Sequence, residues 1–223
     1  MTPSFPYDLA VRPVTVASRR YDLLCLRDFE ATVSDLAGRI ARGADRRWFE
    51  DWCPMFGTLW PSALHLAEVL AREPLRGRSV LELGCGLALP SIVAAAGGAR
   101  VVATDRHPDT AGFLAENEAR NGVRVRYERF DWAGEVPADV GPFDRVVASD
   151  VLYTNEMPEV LAAAFDRFLG PTGVGSLTDP GRPWLQAFAD AARRRGLEVE
   201  VDVVGDADAV FLLTVTRAAP PPP

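Results

Sequence analysis

The sequence has little sulfur or imidazole to work with. Its 223 residues include three cysteines, Cys25, Cys53 and Cys85. An odd, widely spaced set supplies no disulfide framework and no zinc spacing, and it suits a reducing cytoplasm. The two histidines, His65 and His107, have no carboxylate or cysteine at ligand spacing. Both read as surface residues, and no metal site is expected. No run of about 18 apolar residues occurs, so no membrane span is expected. Met1 to Pro13 lacks a basic run followed by an apolar stretch, so no signal peptide is expected. Positive charge is in deficit: 24 basic against 31 acidic residues leave a net charge of -7. That balance disfavours a nucleic-acid partner, although a local basic patch would still be able to serve. No internal repeat is visible.

What remains is an ordinary globular balance, 48% apolar and 25% charged. The length allows one domain, or one domain with an extension, and a core large enough to stand without staples. Residues 1–58 are irregular in pattern and read as an N-terminal extension on the substrate side. Short strands are expected at 14–16 and 21–26, and a helix over 29–40. Residues 59–217 form the regular core, and 218–223 a disordered proline tail. The stretch from Arg42 to Trp52, with Arg46, Arg47 and Trp48, reads as a surface helix or loop near the substrate entrance.

In the core, Pro61 suits a first helical position, and Leu64, Ala67, Leu70 and Ala71 then share a face. Strands follow at 79–83, 100–104, 123–129, 143–149, 173–178, 197–204 and 209–216. Helices between them are expected over 88–96, 108–121, 156–169 and 183–195, the third ended by Gly170-Pro171. Alternating strands and helices predict an α/β fold: a Rossmann-like, doubly wound, mostly parallel seven-stranded sheet. The last two strands are joined by a short turn at Gly205-Asp206 and should pair antiparallel. Ligands of such sheets bind at the carboxyl ends of the strands, near the point where strand order reverses.

The residues that carry chemistry fall at those ends. Val80 to Gly86, Val-Leu-Glu-Leu-Gly-Cys-Gly, is a strand running into a glycine turn and then a helix. Gly84 and Gly86 let the backbone take positive φ and approach a ligand closely, with Cys85 a small residue between them. This geometry alone is shared by several nucleotide cofactors. Two details narrow it. Glu82 sits at the strand end, where a carboxylate repels a pyrophosphate and favours a cationic amino group. Asp105 ends the next strand, about 20 residues on, within reach of ribose hydroxyls. A cofactor with a cationic head, a ribose and no phosphate fits both, and S-adenosylmethionine is that molecule. The competing readings are a helix cap for Glu82 and an N-cap before Pro108 for Asp105.

At this motif the chain resembles the class I methyltransferases. Glu82-Leu-Gly-Cys-Gly86 matches their first motif, and Asn117 and Asn121 in the next helix fit as well. Three further segments are similar to the family 16 methyltransferases, a group dominated by protein-lysine N-methyltransferases. They are Phe56-Gly-Thr-Leu-Trp-Pro-Ser62, Asp131-Trp132 and Ser149-Asp-Val-Leu-Tyr153. The resemblance spans roughly Leu59 to Arg217. It implies that Trp60 and Ser149 flank the cofactor, Asp131 accepts from the adenine amino group and Trp132 packs on the adenine ring. It also implies that Asp150 and Tyr153 form an acidic-x-x-aromatic motif where the methyl group moves. For Trp132 the competing reading is core packing; for Trp60 it is a staple at the helix start.

The expected activity is methylation of a protein lysine by S-adenosylmethionine. The alternatives are a small-molecule N- or O-methyltransferase on the same fold, a binding module without turnover, and a nicotinamide-dinucleotide oxidoreductase. Glu82 and the closing antiparallel pair speak against the last.

Overall fold

The computed structural model describes residues 6–41, 53–134, 140–205 and 209–218. The Arg46-Arg47-Trp48 stretch, Asp206 and the proline run lie outside the described residues.

The chain opens with a hairpin, β1 (Leu9–Val16) and β2 (Arg19–Leu26), in a two-stranded sheet of its own. These strands are longer than the pattern predicts. Helix α1 (Phe29–Ala41) follows as expected, and a 3-10 turn at Met55–Gly57 leads to α2 (Pro61–Ala71). Pro61 occupies the first helical position, where its missing N–H leaves nothing unpaired. The buried side of α2 carries Leu66, Ala67 and Leu70; Leu64 is half-buried and Ala71 exposed, so the stripe is turned slightly from the predicted one.

The central sheet has seven strands in the order β5-β4-β3-β6-β7-β9-β8. They are β3 (Ser79–Leu83), β4 (Arg100–Thr104), β5 (Arg126–Glu128), β6 (Phe143–Ser149), β7 (Leu169–Asp179), β8 (Leu197–Val204) and β9 (Val210–Arg217). The first five pair in parallel; β9 lies antiparallel between β7 and β8. The crossovers are α3 (Leu89–Ala96), α4 (Thr110–Asn121), α5 (Met157–Phe168) and α6 (Leu185–Arg194).

Two predicted boundaries move. The strand expected over 123–129 shrinks to Arg126–Glu128, because β5 is the sheet edge and only these residues reach β4. Helix α5 ends at Phe168, just before Gly170-Pro171 as expected, but the strand begins at once, so that Gly170-Pro171 lies inside β7. Leu169 already pairs with Phe143, and the register then jumps so that Arg145 meets Val174. The intervening residues bulge out. Gly173 is required there, since a Cβ would come 2.7 Å from the Phe143 carbonyl oxygen.

Side-chain alternation sorts the sheet into two cores. Leu81, Leu83, Val146 and Ala148 pack with Phe165, Phe168 and Phe188 of α5 and α6. Val80, Val101, Ala103 and Val147 pack with Leu66, Leu70, Ala94 and Leu114 of α2, α3 and α4. Each fully buried Leu or Phe contributes about 1.5–3 kcal/mol. The hairpin is part of this body. Val16, Tyr21 and Leu23 pack on Ala67, Leu89 and Ile92. Buried Asn117 accepts the Leu24 N–H at 2.6 Å and donates to the Leu87 carbonyl at 3.3 Å.

Strand order reverses between β3 and β6, which places a crevice at their carboxyl ends.

Candidate active site

A cavity of about 390 Å³ opens at that crevice. Ten of the eleven residues singled out in the sequence line it: Trp60, Gly84, Cys85, Gly86, Asp105, Asp131, Trp132, Ser149, Asp150 and Tyr153.

The floor is the turn after β3. Gly84 has φ +71° and Gly86 φ +51°, a region that costs a residue with a Cβ about 1 kcal/mol or more. A Cβ on Gly84 would come 2.8 Å from Val151 and 3.2 Å from the Trp132 ring. One on Gly86 would come 3.2 Å from the Phe56 carbonyl oxygen. The turn is therefore a cradle that any side chain would fill. Asp105 braces it: one carboxylate oxygen accepts the Gly86 N–H at 3.0 Å, the other the His107 N–H at 2.9 Å. Burial raises the Asp105 carboxyl pKa, and these backbone bonds oppose the rise.

Glu82 is the exception. It is 1% exposed and does not line the cavity. Its carboxylate instead accepts the Ser91 N–H at 3.0 Å and the Ser91 hydroxyl at 2.5 Å, capping α3. The alternation of β3 turns its side chain from the cavity onto α3, as the helix-cap reading has it. Burial pushes its pKa up to about 8, with Ser91 opposing. Its other oxygen has no partner in the described structure.

Both tryptophans line the cavity and are held by the surrounding fold. Trp132 lines the cavity over Gly84, packs against the larger core and donates its indole N–H to Thr104 at 3.4 Å. Trp60 lines the cavity, donates to the Met55 carbonyl at 3.0 Å and meets Phe29 edge-on at 5.6 Å. Asp131 is exposed on the rim and accepts the Ala133 N–H at 3.0 Å.

Asp150 stands at the end of β6 with φ +59°. Its carboxylate accepts the Ser62 N–H at 3.1 Å and pairs with Arg182 at 2.9 Å. Burial raises its pKa; Ser62 and Arg182 pull the other way, and Asp179 adds to the rise. Tyr153 is 44% exposed at the mouth.

Among the lining residues that escape the sequence reading, two stand out. His107, expected at the surface, is 6% exposed and stacks on Phe56 with ring centroids 4.2 Å apart. The turn after β4 folds back onto a segment about 50 residues earlier, a closure no local pattern announces. Arg182 follows β7 and reads locally as a turn residue before a proline. Its place beyond a strand's carboxyl end was the available signal. Among the described residues, no group of acidic, Cys or His side chains has metal-holding geometry.

The donor set fits S-adenosylmethionine. A glycine-flanked turn, an acidic residue at the end of β4 and an indole over the turn suit a ribose and an adenine. Gly84, Gly86, Asp105 and Trp132 would hold it, and it would supply the activated methyl group.

Fold and site together define a class I S-adenosylmethionine-dependent methyltransferase. Within that class, residues 50–177 match the lysine methyltransferase family, and the chain belongs to it. A protein N-terminal and lysine N-methyltransferase of Eremothecium gossypii is 33% identical over 175 residues, 66% of this chain and 66% of that protein. A protein-lysine methyltransferase of Mus musculus is 32% identical over 130 residues, 52% of each chain. The chain thus spans between about half and just under two thirds of these relatives. A solved 16S rRNA methyltransferase from T. thermophilus shares the fold at a TM-score of 0.66 and 17% identity, covering 96% of this chain and 52% of that one.

Proposed function

We propose that this protein transfers the methyl group of S-adenosylmethionine to the side-chain amine of a protein lysine. The observation that carries the reading is the mouth of the cavity. Met55 and Tyr153 are two of the five exposed large hydrophobic side chains among the described residues, and both line this one opening beside Trp60. Apolar walls suit a four-methylene stem, and an aromatic face suits the cationic nitrogen that the reaction produces. Behind them lies Asp150. The family and the protein-lysine relatives support the same acceptor.

The amine has to be neutral to attack. For an unperturbed lysine, pKa about 10.4, that costs roughly 4 kcal/mol near neutral pH. Apolar walls lower the cost by desolvating the ammonium. Asp150 orients the amine through a lone pair left over from Ser62 and Arg182. Alignment is the protein's main contribution, because the donor carries the activation.

The test exploits an absence. The chain has no lysine at all, so no lysine label can come from self-methylation. Labelled methyl is supplied to a lysate of source cells, and macromolecules are separated from small molecules. Methyl-lysine in a protease-sensitive band is the expected result. Label confined to small molecules would assign a metabolite acceptor. Confirmed cofactor binding without any label would point to a module without turnover.

A further inference from the structure

Arg182 joins two carboxylates that the sequence keeps far apart. One guanidinium nitrogen lies 2.9 Å from Asp150 and another 2.7 Å from Asp179. Asp179, at the end of β7, is fully buried. Its second oxygen accepts the N–H groups of Gly181 at 2.9 Å and Arg182 at 2.7 Å. Asp179 therefore fixes both the backbone and the side chain of Arg182. From there the link runs on through Asp150 to the Ser62 N–H, in the first turn of α2 and two residues after Trp60. Thr178 closes the ring, donating its hydroxyl to the Ser62 carbonyl at 2.9 Å.

Three facts set Arg182 apart from an ordinary surface cation. It lines the cavity, and its side chain is only 26% exposed. Although burial alone would lower its pKa, the two carboxylates raise it, so it stays charged. Its partner Asp150 sits in a left-handed backbone conformation, which persists only where surrounding contacts hold it. A planar fork is the side chain able to reach both carboxylates in fixed directions. Two carboxylates and one guanidinium also leave the cluster with one net negative charge, the sign that draws an ammonium group.

We propose that Arg182 is a positioning residue of the methyl-transfer site: anchored on Asp179, it holds the Asp150 carboxylate in the orientation that seats the first turn of α2 and faces the acceptor amine. The part concerning the amine rests on the function proposed above; the part concerning α2 does not.

The test compares wild type, R182M, R182K, D150N and the D150N/R182M double variant. Amide hydrogen exchange gives the first readout. In R182M the Ser62 amide should exchange about tenfold faster, the scale of one weakened charge-assisted bond. The Ser91 amide, held by Glu82 at the start of α3, should keep its protection, whereas a merely loosened fold would move both. R182K, one ammonium in place of a fork, should restore Ser62 only in part. Methyl transfer to poly-L-lysine gives the second readout. R182M should lose about tenfold or more in kcat with its S-adenosylmethionine affinity unchanged, and the double variant should be no worse than D150N.

Unchanged Ser62 protection in R182M overturns the proposal, as does a double variant whose losses multiply. If R182M does not fold, R182K decides alone: behaviour equal to wild type in both readouts overturns the proposal. D150N fully active on poly-L-lysine overturns the part of the proposal that concerns the amine. Wild type inert toward it would instead sink the lysine reading, and Ser62 would still judge Arg182.

Discussion

The backbone N–H of Gly86 donates to the carboxylate of Asp105 across 3.0 Å, so the glycine turn after β3 and the acidic end of β4 form one unit. The same carboxylate holds the His107 N–H at 2.9 Å. Asp105 thus shapes the cradle, and we propose that its remaining lone pairs reach a ribose. D105A removes both jobs. Its affinity for S-adenosylmethionine should fall by at least about tenfold, since bonds to a charged group are worth roughly 1.5–3 kcal/mol each. Titration calorimetry measures this, and wild-type affinity in D105A would remove Asp105 from the cofactor site.

Gly84 has no room for a methyl group. G84A places a Cβ 2.8 Å from Val151 at φ +71°. Strain and overpacking together should cost about 2–4 kcal/mol. Urea unfolding reads the loss, and a midpoint equal to wild type would mean that the turn relaxes freely.

Glu82 makes stability depend on pH. Its pKa is about 8 in the fold, against 4.5 for the free side chain, so folding takes up a proton between those values. The stability it contributes is fully present below the lower value and is lost as pH rises through the higher one. E82Q abolishes this dependence. Relative to wild type, E82Q without cofactor should gain stability as pH rises from about 6 to about 9, by an amount of order a few kcal/mol. Parallel melting curves across that range would show that Glu82 does not carry the effect.

Asn117 ties the N-terminal hairpin to the core. N117A leaves the Leu24 N–H and the Leu24 and Leu87 carbonyls without their side-chain partner in a buried place. The cost should be about 2–4 kcal/mol, and limited proteolysis should cut within β1 or β2 before the core. Cleavage first in the sheet core would contradict the tie.

Much of this protein is legible in the chain. The glycine turn and Asp105 announce themselves because their chemistry is local: a residue without Cβ, and a carboxylate at a fixed distance along the sequence. Strands β3 and β4 fall where the apolar runs end in these residues, and β6 where its run ends in Ser149-Asp150. The bulge in β7 and the shortness of β5 do not show, because a register shift and an edge position belong to pairing. His107 and Arg182 were missed for a related reason: their partners Phe56 and Asp150 are tens of residues away.

The sequence by itself determined most of the elements, the mostly parallel class of the sheet and the residues at the strand ends, because periodicity and turn chemistry act over a few residues. Only the tertiary structure decided which of those residues face the cleft. Glu82 and Asp105 look alike in sequence, each an acid at or near a strand end. Alternation of β3 buries the first behind α3, while the second ends β4 and opens onto the cavity. Asp150 likewise becomes the hub of a clamp only when β6, β7 and α2 meet, since the interactions that define it close over long loops.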